Sequence, residues 1–392
     1  MQDALIQPKL LNWAVERSGR PLEDVARSAH VKLDKLEEWE NGKSLPTFRQ
    51  AINIAQALRI PFGYLFLSSV PDDKIPLPDL RTVRNAEFEE FSLDLIDLIN
   101  DTLRKQNWYR EFLLEEGVEP LEFIGKFDTN DPPDKIAENI STTLGIDDTL
   151  REEVNSWGEF LTASVRRAET KGILVLRSGI VGSNNTRKLQ VEEFRGFAIC
   201  DDIAPLIFIN GQDFDVAKIF TFAHELAHLW IGQNGISNLP LGETTPPHDV
   251  QVEFFCNSIA AELLAPAKRF INEWQRYNSL ENNIQRLSQH FRVSAAVILR
   301  RAFDLNVITS DEFFANYREE LKNQAERIEN RKKTGTSGGD FYSTFFARNS
   351  TTLSSTIVAA TFEGRLPYRD AANLLNVKVK TLEKIAEKLG IR

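Results

Sequence analysis

The pentapeptide His224-Glu225-Leu226-Ala227-His228 carries the clearest chemistry in this chain. Residues four apart on a helix share a face, so both imidazoles can reach one metal ion, and Glu225 is turned toward the ion's open side. A tetrahedral catalytic site of this kind needs one more protein ligand. Glu253 is the candidate, because it stands at the start of the next helical stretch, 25 residues after His228, on a segment able to fold back antiparallel. Asn257, one turn further on, shares that face and could orient a ligand histidine. Other ligands stay open at this level. Glu262 lies on the same helix but faces away from Glu253, and His248 sits in the loop PPHD. Cys256 reads as a small buried hydrophobe, and His30 and His290 read as structural. The chemistry expected of the set is amide hydrolysis, with zinc as cofactor and Glu225 as the general base that later returns its proton to the leaving amine.

These residues need rigid elements to hold them. GILVLRS, FRGFAICD and APLIFING have the β-branched and aromatic content of strands in a small sheet. The helix VAKIFTFAHELAHLWIG follows directly, a second helix VQVEFFCNSIAAELLA ends at Pro266, and further helical segments run to about residue 333. Residues 87–171 read as amphipathic scaffold. The first 70 residues read as a bundle of five short helices, closed by the connector VPDDKIPLPDL, whose prolines no helix can cross. TGTSGGD has the composition of a flexible linker, and a basic helical stretch follows it. The predicted organisation is a helical domain over 1–70, a metal-site domain with helical scaffold over 71–333, a linker over 334–340, and a tail over 341–392.

Composition narrows the function classes. A chain of 392 residues implies several domains, and two cysteines fit a reducing compartment and exclude a disulfide framework or a cysteine-built zinc finger. With no long apolar run and no signal-like start, the expectation is a cytoplasmic protein without membrane contact. The net charge of −10 is uneven. Residues 1–70 hold nine Lys/Arg against eight Asp/Glu, and residues 341–392 hold eight against four, so the acidic excess falls in the middle. Nucleic acid, if bound, is expected at the ends.

Two family resemblances sharpen this picture. FTFAHELAHLWIG preceded by PLIFIN, and followed by EFFCNSIAAELLAP, resembles the ImmA/IrrE metallopeptidases over residues 75–330. Cys256 stands where Ala is usual, and Phe255 where a second Glu often stands. The resemblance implies a gluzincin-type zinc site on His224, His228 and Glu253, catalysis by Glu225, and a protein substrate such as a transcriptional repressor. Residues 9–67 resemble an Xre-type helix-turn-helix, with Val25, Ala26, Val31, Leu36 and Trp39 as its apolar skeleton. Its presumed reading helix sets Asp34, Glu37 and Glu38 beside Lys32 and Lys35, with Lys43 just beyond, and carboxylates facing phosphate weaken binding. LPYRDAANLLNVKVKTLEKIAEKLG resembles a second such motif, with Lys378, Lys380 and Lys384 along its second helix. The fold class expected is α+β and predominantly helical: a helix-turn-helix bundle, a zincin-like peptidase domain with a small sheet and the HExxH helix, and a helical C-terminal tail. The function expected is a zinc-dependent regulatory endopeptidase coupled to a helix-turn-helix module. A DNA-binding regulator or antitoxin-like protein that neutralises a partner toxin by binding is the alternative, and a metal-dependent hydrolase of another bond is a third reading. Partners expected are a protein substrate, DNA at the terminal modules, and a second copy in a homodimer.

Overall fold

One turn recurs through the helical parts of this chain. A helix ends in a left-handed residue, the next residue is apolar, and its N–H reaches back to the carbonyl five residues earlier, after which a new helix starts. His30-Val31, Arg59-Ile60, Gly145-Ile146, Arg292-Val293, Asn306-Val307 and Asn376-Val377 all follow this pattern. The bond satisfies a carbonyl that the helix end would leave orphaned, and the apolar residue tucks against the helix it terminates. The result is a chain of short helices joined at sharp corners.

The computed structural model describes residues 3–71, 91–237, 251–320, 322 and 340–391. The chain divides into two units, Met1–Pro76 and Leu77–Arg392. The proline-rich connector falls largely outside the described residues.

In the first unit, α1 (Pro8–Ser18), α2 (Leu22–Ser28), α3 (Leu33–Glu40) and α4 (Phe48–Leu58) surround Leu11, Val25, Leu36, Trp39, Ile54 and Leu58. Thr47 and Gln50 form a reciprocal capping box that starts α4. The expected fifth helix is a 3₁₀ segment, Phe62–Phe66. Between Pro61 and the extended Leu67 there is room for only five residues, too few for a regular α-helical ladder.

The second unit opens with α5 (Leu93–Glu115), α6 (Pro133–Leu144), α7 (Asp148–Glu153) and α8 (Trp157–Thr170). The sheet comprises β1 (Leu174–Ser178), β2 (Gly196–Ile199), β3 (Leu206–Asn210) and β4 (Gly235–Ser237), in the order β1-β3-β2-β4. β1 runs parallel to β3, and the other pairs are antiparallel, with Gly196 opposite Ile209 on one side and Ser237 on the other. The sequence signals marked three strands; β4 is three residues long and has no room for an alternating pattern. α9 (Asp215–Trp230) packs on β2 and β3, and α10 (Gln251–Leu264) packs on α9 and α6. α11 (Ala267–Glu273), α12 (Leu280–Phe291), α13 (Ala295–Asp304) and α14 (residues 310–320) complete this core, to which α12 and α13 give Leu287, Phe291, Val297 and Ile298. Among the described residues no helix is long and apolar enough to cross a membrane.

Residues 341–392, expected to form a tail, belong to the second unit as α15 (Phe341–Asn349), α16 (Thr351–Phe362), α17 (Tyr368–Leu374) and α18 (Val379–Leu389). α15 packs on β1, and the Glu169 carboxylate accepts the Thr351 N–H at 3.2 Å. The turn residue Asn376 donates to Asp101 of α5 at 2.8 Å, and its carbonyl accepts the Ser183 hydroxyl at 2.6 Å. Arg104 of α5 donates to the Asn373 carbonyl. The expected linker lies outside the described residues except for Asp340, whose carboxylate accepts the Ser343 N–H and caps α15.

The end of α10 is held by two buried arginines. Arg151 donates to the carbonyls of Leu263, Leu264 and Phe291, and Arg301 donates to that of Ala265. Cationic donors there satisfy orphan carbonyls and oppose the negative helix end. Burial lowers the Arg151 pKa to about 10, still far above neutrality, so the charge persists. Arg151→Met should therefore destabilise the protein by roughly 2–4 kcal/mol, because it leaves buried carbonyls unpaired. A urea unfolding midpoint within error of the parent would contradict this role.

Candidate metal centre

The centre is assembled by two antiparallel helices. His224 and His228, one turn apart on α9, meet Glu253 and Asn257, one turn apart on α10, with His228 beside Glu253 and His224 beside Asn257. Both helices feed one buried apolar core, α9 with Leu226 and Leu229 and α10 with Cys256 and Ile259. α9 is fixed at its C-terminal end by Gly125 and Phe127, whose N–H groups donate to the Leu229 and Trp230 carbonyls. Trp230 stacks on Phe123 with ring centroids 4.6 Å apart and donates to Asn139.

The donor atoms converge. His224 Nε2 lies 3.1 Å from one Glu253 oxygen, His228 Nε2 lies 3.0 Å from the other, and the two ring nitrogens are 3.1 Å apart. All three donors fall within 4.8 Å of one another. His224 Nδ1 donates to the Asn257 amide oxygen at 2.9 Å, so that with a metal bound its Nε2 lone pair would be the one directed into the cluster. Two ring nitrogens and a carboxylate aimed at one point in a buried place form a donor set for a cation, so the residues present fit a metal ion.

The electrostatics agree. Burial pulls the His224 pKa down, but the charge of Glu253 and its hydrogen bond outweigh this and raise it to about 9. Burial pushes Glu253 up, yet the charge and hydrogen bond of His224 and the hydrogen bond of His228 bring it down to about 2. His228 is lowered, chiefly by burial. The carboxylate is thus held ionised and draws positive charge to the nitrogens around it.

Glu225 is completely buried, with its carboxylate against β2. Gly196 makes this possible, a role that the sequence reading missed: a Cβ there would lie 2.7 Å from Thr221 Cγ2, 2.8 Å from Glu225 Oε1 and 2.9 Å from the Phe208 carbonyl oxygen. The only sequence signal is a glycine inside an otherwise strand-like run, which marks a close approach. Cys200 also borders the centre, donating weakly to the His228 carbonyl, and burial followed by the charge of Glu225 pushes its thiol up to about 12. Cys256 is fully buried with its thiol raised well above its usual value, again by burial first, as befits a packing residue.

The alternatives resolve unevenly. Glu262 forms an ion pair with Arg301 and accepts the Ala267 N–H, so it belongs to the end of α10 and not to this cluster. His248 lies outside the described residues. Of the basic residues singled out, Lys32 stands at the N-cap position of α3 without capping it, Lys35 pairs with Glu38 at 2.6 Å, and Lys43 is exposed. Lys378 stands at the N-cap position of α18 without capping it, and Lys380 and Lys384 are exposed along the helix.

Residues 168–303 match the peptidase family model described as the IrrE N-terminal-like domain. This IrrE-like segment covers about a third of the chain and runs from the end of α8 to the end of α13, so it contains the sheet and all the residues of the cluster. A second model, described only as a domain of unknown function, matches residues 349–388, which hold α16, α17 and most of α18. Neither match extends into the N-terminal unit. No curated protein and no solved structure matches the chain.

Two outcomes follow from this geometry. Gly196→Ala should cost about 1–3 kcal/mol through overpacking against Glu225, whereas Gly63→Ala, with open space around it, should be tolerated; equal unfolding midpoints for the two variants would refute the close approach. With any metal chelated away, the Glu253–His224 pair should stabilise the fold within a defined pH window. The raised His224 contributes fully below its ordinary 6.5 and loses this as pH rises through about 9. The depressed Glu253 contributes fully above its ordinary 4.5 and loses this as pH falls through about 2. Both are present in full between those ordinary values, and Glu253→Gln should flatten the thermal-stability profile on both sides of the window.

Proposed function

We propose that this chain is a zinc-dependent peptidase that cleaves a specific protein partner, with His224, His228 and Glu253 as ligands and Glu225 as general base. The observation that carries this reading is the convergence of two imidazole nitrogens and one carboxylate beside a second buried glutamate, in a segment that matches a peptidase family. Two nitrogens and one carboxylate with a fourth position left for water is a donor set of catalytic zinc. Zinc bound there supplies a Lewis acid that polarises a carbonyl and acidifies a water. Glu225 takes the proton of the attacking water and delivers it to the departing amine. Asn257 holds the His224 ring in one tautomer, and Gly196 gives the Glu225 carboxylate its place against β2.

A transcriptional repressor is the partner class we propose, consistent with the family resemblance of the two helices. Specificity then comes from docking, which raises the local concentration of one bond near a modest catalyst. A second reading is favoured by one observation: His224, Glu225, His228 and Glu253 are each at most 4% exposed. In that reading the peptidase fold is a scaffold, and the chain acts by binding a toxin or regulating DNA.

Purified protein should hold about one zinc per chain, by the three-ligand argument. Glu253→Ala should remove most of it, while Glu262→Ala should keep the metal and lose stability; equal metal loss in both would overturn the ligand assignment. Glu225→Gln separates the two readings, since it should keep zinc and fold while abolishing cleavage of the partner captured by that same variant. Full biological activity in Glu225→Gln would favour the scaffold reading, and rapid digestion of casein by the parent chain would refute specificity by docking.

A further inference from the structure

The corner between α17 and α18 repeats the corner between α2 and α3 residue for residue. α2 and α17 are both seven-residue helices, each followed by one residue in the right-handed region, Ala29 or Leu375. A left-handed residue comes next, His30 at φ 56° or Asn376 at φ 54°, and then a valine that closes the same backbone bond. Lysine occupies the N-cap position of the second helix in both, Lys32 at φ −74°, ψ 144° and Lys378 at φ −79°, ψ 145°, with no side-chain cap in either. The buried positions coincide as well, with Leu36 and Trp39 matched by Leu382 and Ile385.

Two outward positions carry opposite charge, while a third is acidic in both, Glu37 and Glu383. Where α3 presents Asp34 and Glu38, α18 presents Lys380 and Lys384 at the same places in the turn-and-helix register. Glu38 is held as an anion by hydrogen bonds from Lys35 and Ser44, which lower its pKa. Val379, at the start of α18, is 47% exposed, an apolar side chain at the position where such helices meet base edges. Arg369 on α17 is exposed too and adds to the positive charge of the pair.

We propose that the α17–α18 pair is a duplex-DNA-binding surface, with α18 entering the major groove and Lys378, Lys380 and Lys384 contacting phosphate or base edges, and that the matching α2–α3 pair is not one. Helix pairs of this geometry place the second helix in a groove wide enough to admit it, and lysines there release counterions on binding. Carboxylates at the same positions of α3 would face phosphate and oppose binding. None of its residues belongs to the candidate metal cluster, and binding there needs no catalytic activity.

The test uses the full-length chain and fluorescence anisotropy with a labelled 30-base-pair duplex of mixed sequence. Binding should fall steeply between 50 and 200 mM salt, and Lys380→Glu/Lys384→Glu should weaken it on the order of tenfold or more at the lower salt. The slope of log affinity against log salt should shrink by about 1.8, at about 0.9 per phosphate contact removed. Lys380→Gln/Lys384→Gln should give a smaller loss in the same direction, with circular dichroism and metal content of both variants unchanged. Lys32→Glu/Lys35→Glu should leave affinity within about twofold, since no phosphate contact is lost. Absence of duplex binding at 50 mM salt would overturn the proposal, as would equal loss in the α3 variant or tighter binding of single-stranded RNA of the same sequence.

Discussion

A carboxylate buried between two imidazoles is the constraint on which the second unit depends. An isolated buried carboxylate would be costly, and Glu253 is tolerable only because His224 and His228 stand within about 3 Å of its two oxygens. That fixes the relative slide of α9 and α10 to a fraction of a turn, because a shift of one residue on either helix would swing a donor out of the cluster. Much of the surrounding structure holds these two helices in that alignment. The sheet supports α9 from below, the 125–127 loop receives its last carbonyls, and Arg151 and Arg301 secure the far end of α10.

The parts of this arrangement that are periodic were legible in the sequence. The spacing His224-His228 and the spacing Glu253-Asn257 each declare a shared helical face, and three of the four strands announce themselves by β-branched and aromatic runs. Helical angle already turns Glu262 away from Glu253, and its ion pair with Arg301, 39 residues away, shows what it does instead. Gly196 and the two arginines went unread because their roles arise from single long-range contacts with no periodic trace. The same holds for the C-terminal segment. Its composition reads as a basic appendage, but Asn376 and Asp101 meet across 275 residues of sequence.

The recurring corner explains how so many short helices reach a defined arrangement. Each one fixes the exit direction of a helix with a left-handed residue and an apolar anchor, leaving the outward side chains of the next helix free to vary. The same backbone can therefore present Asp34 and Glu38 at α3 and Lys380 and Lys384 at the matching positions of α18 without change in its own geometry. Chemistry at such surfaces is decided by a few solvent-facing letters, while the fold is decided by the letters that point inward.

The hydrogen bonds from Asn376 to Asp101 and from Ser183 to the Asn376 carbonyl have a geometric consequence. They tie the corner before α18 to α5 and to the segment after β1, in the same unit as the candidate metal cluster. In the proposed DNA-binding role, α18 mounted in this way would act like a fixed sight on an instrument: wherever it settled along a double helix, the cluster would point at one azimuth and one height above the axis. Only proteins bound on the matching side of the duplex, at the matching helical phase, would then come within its reach.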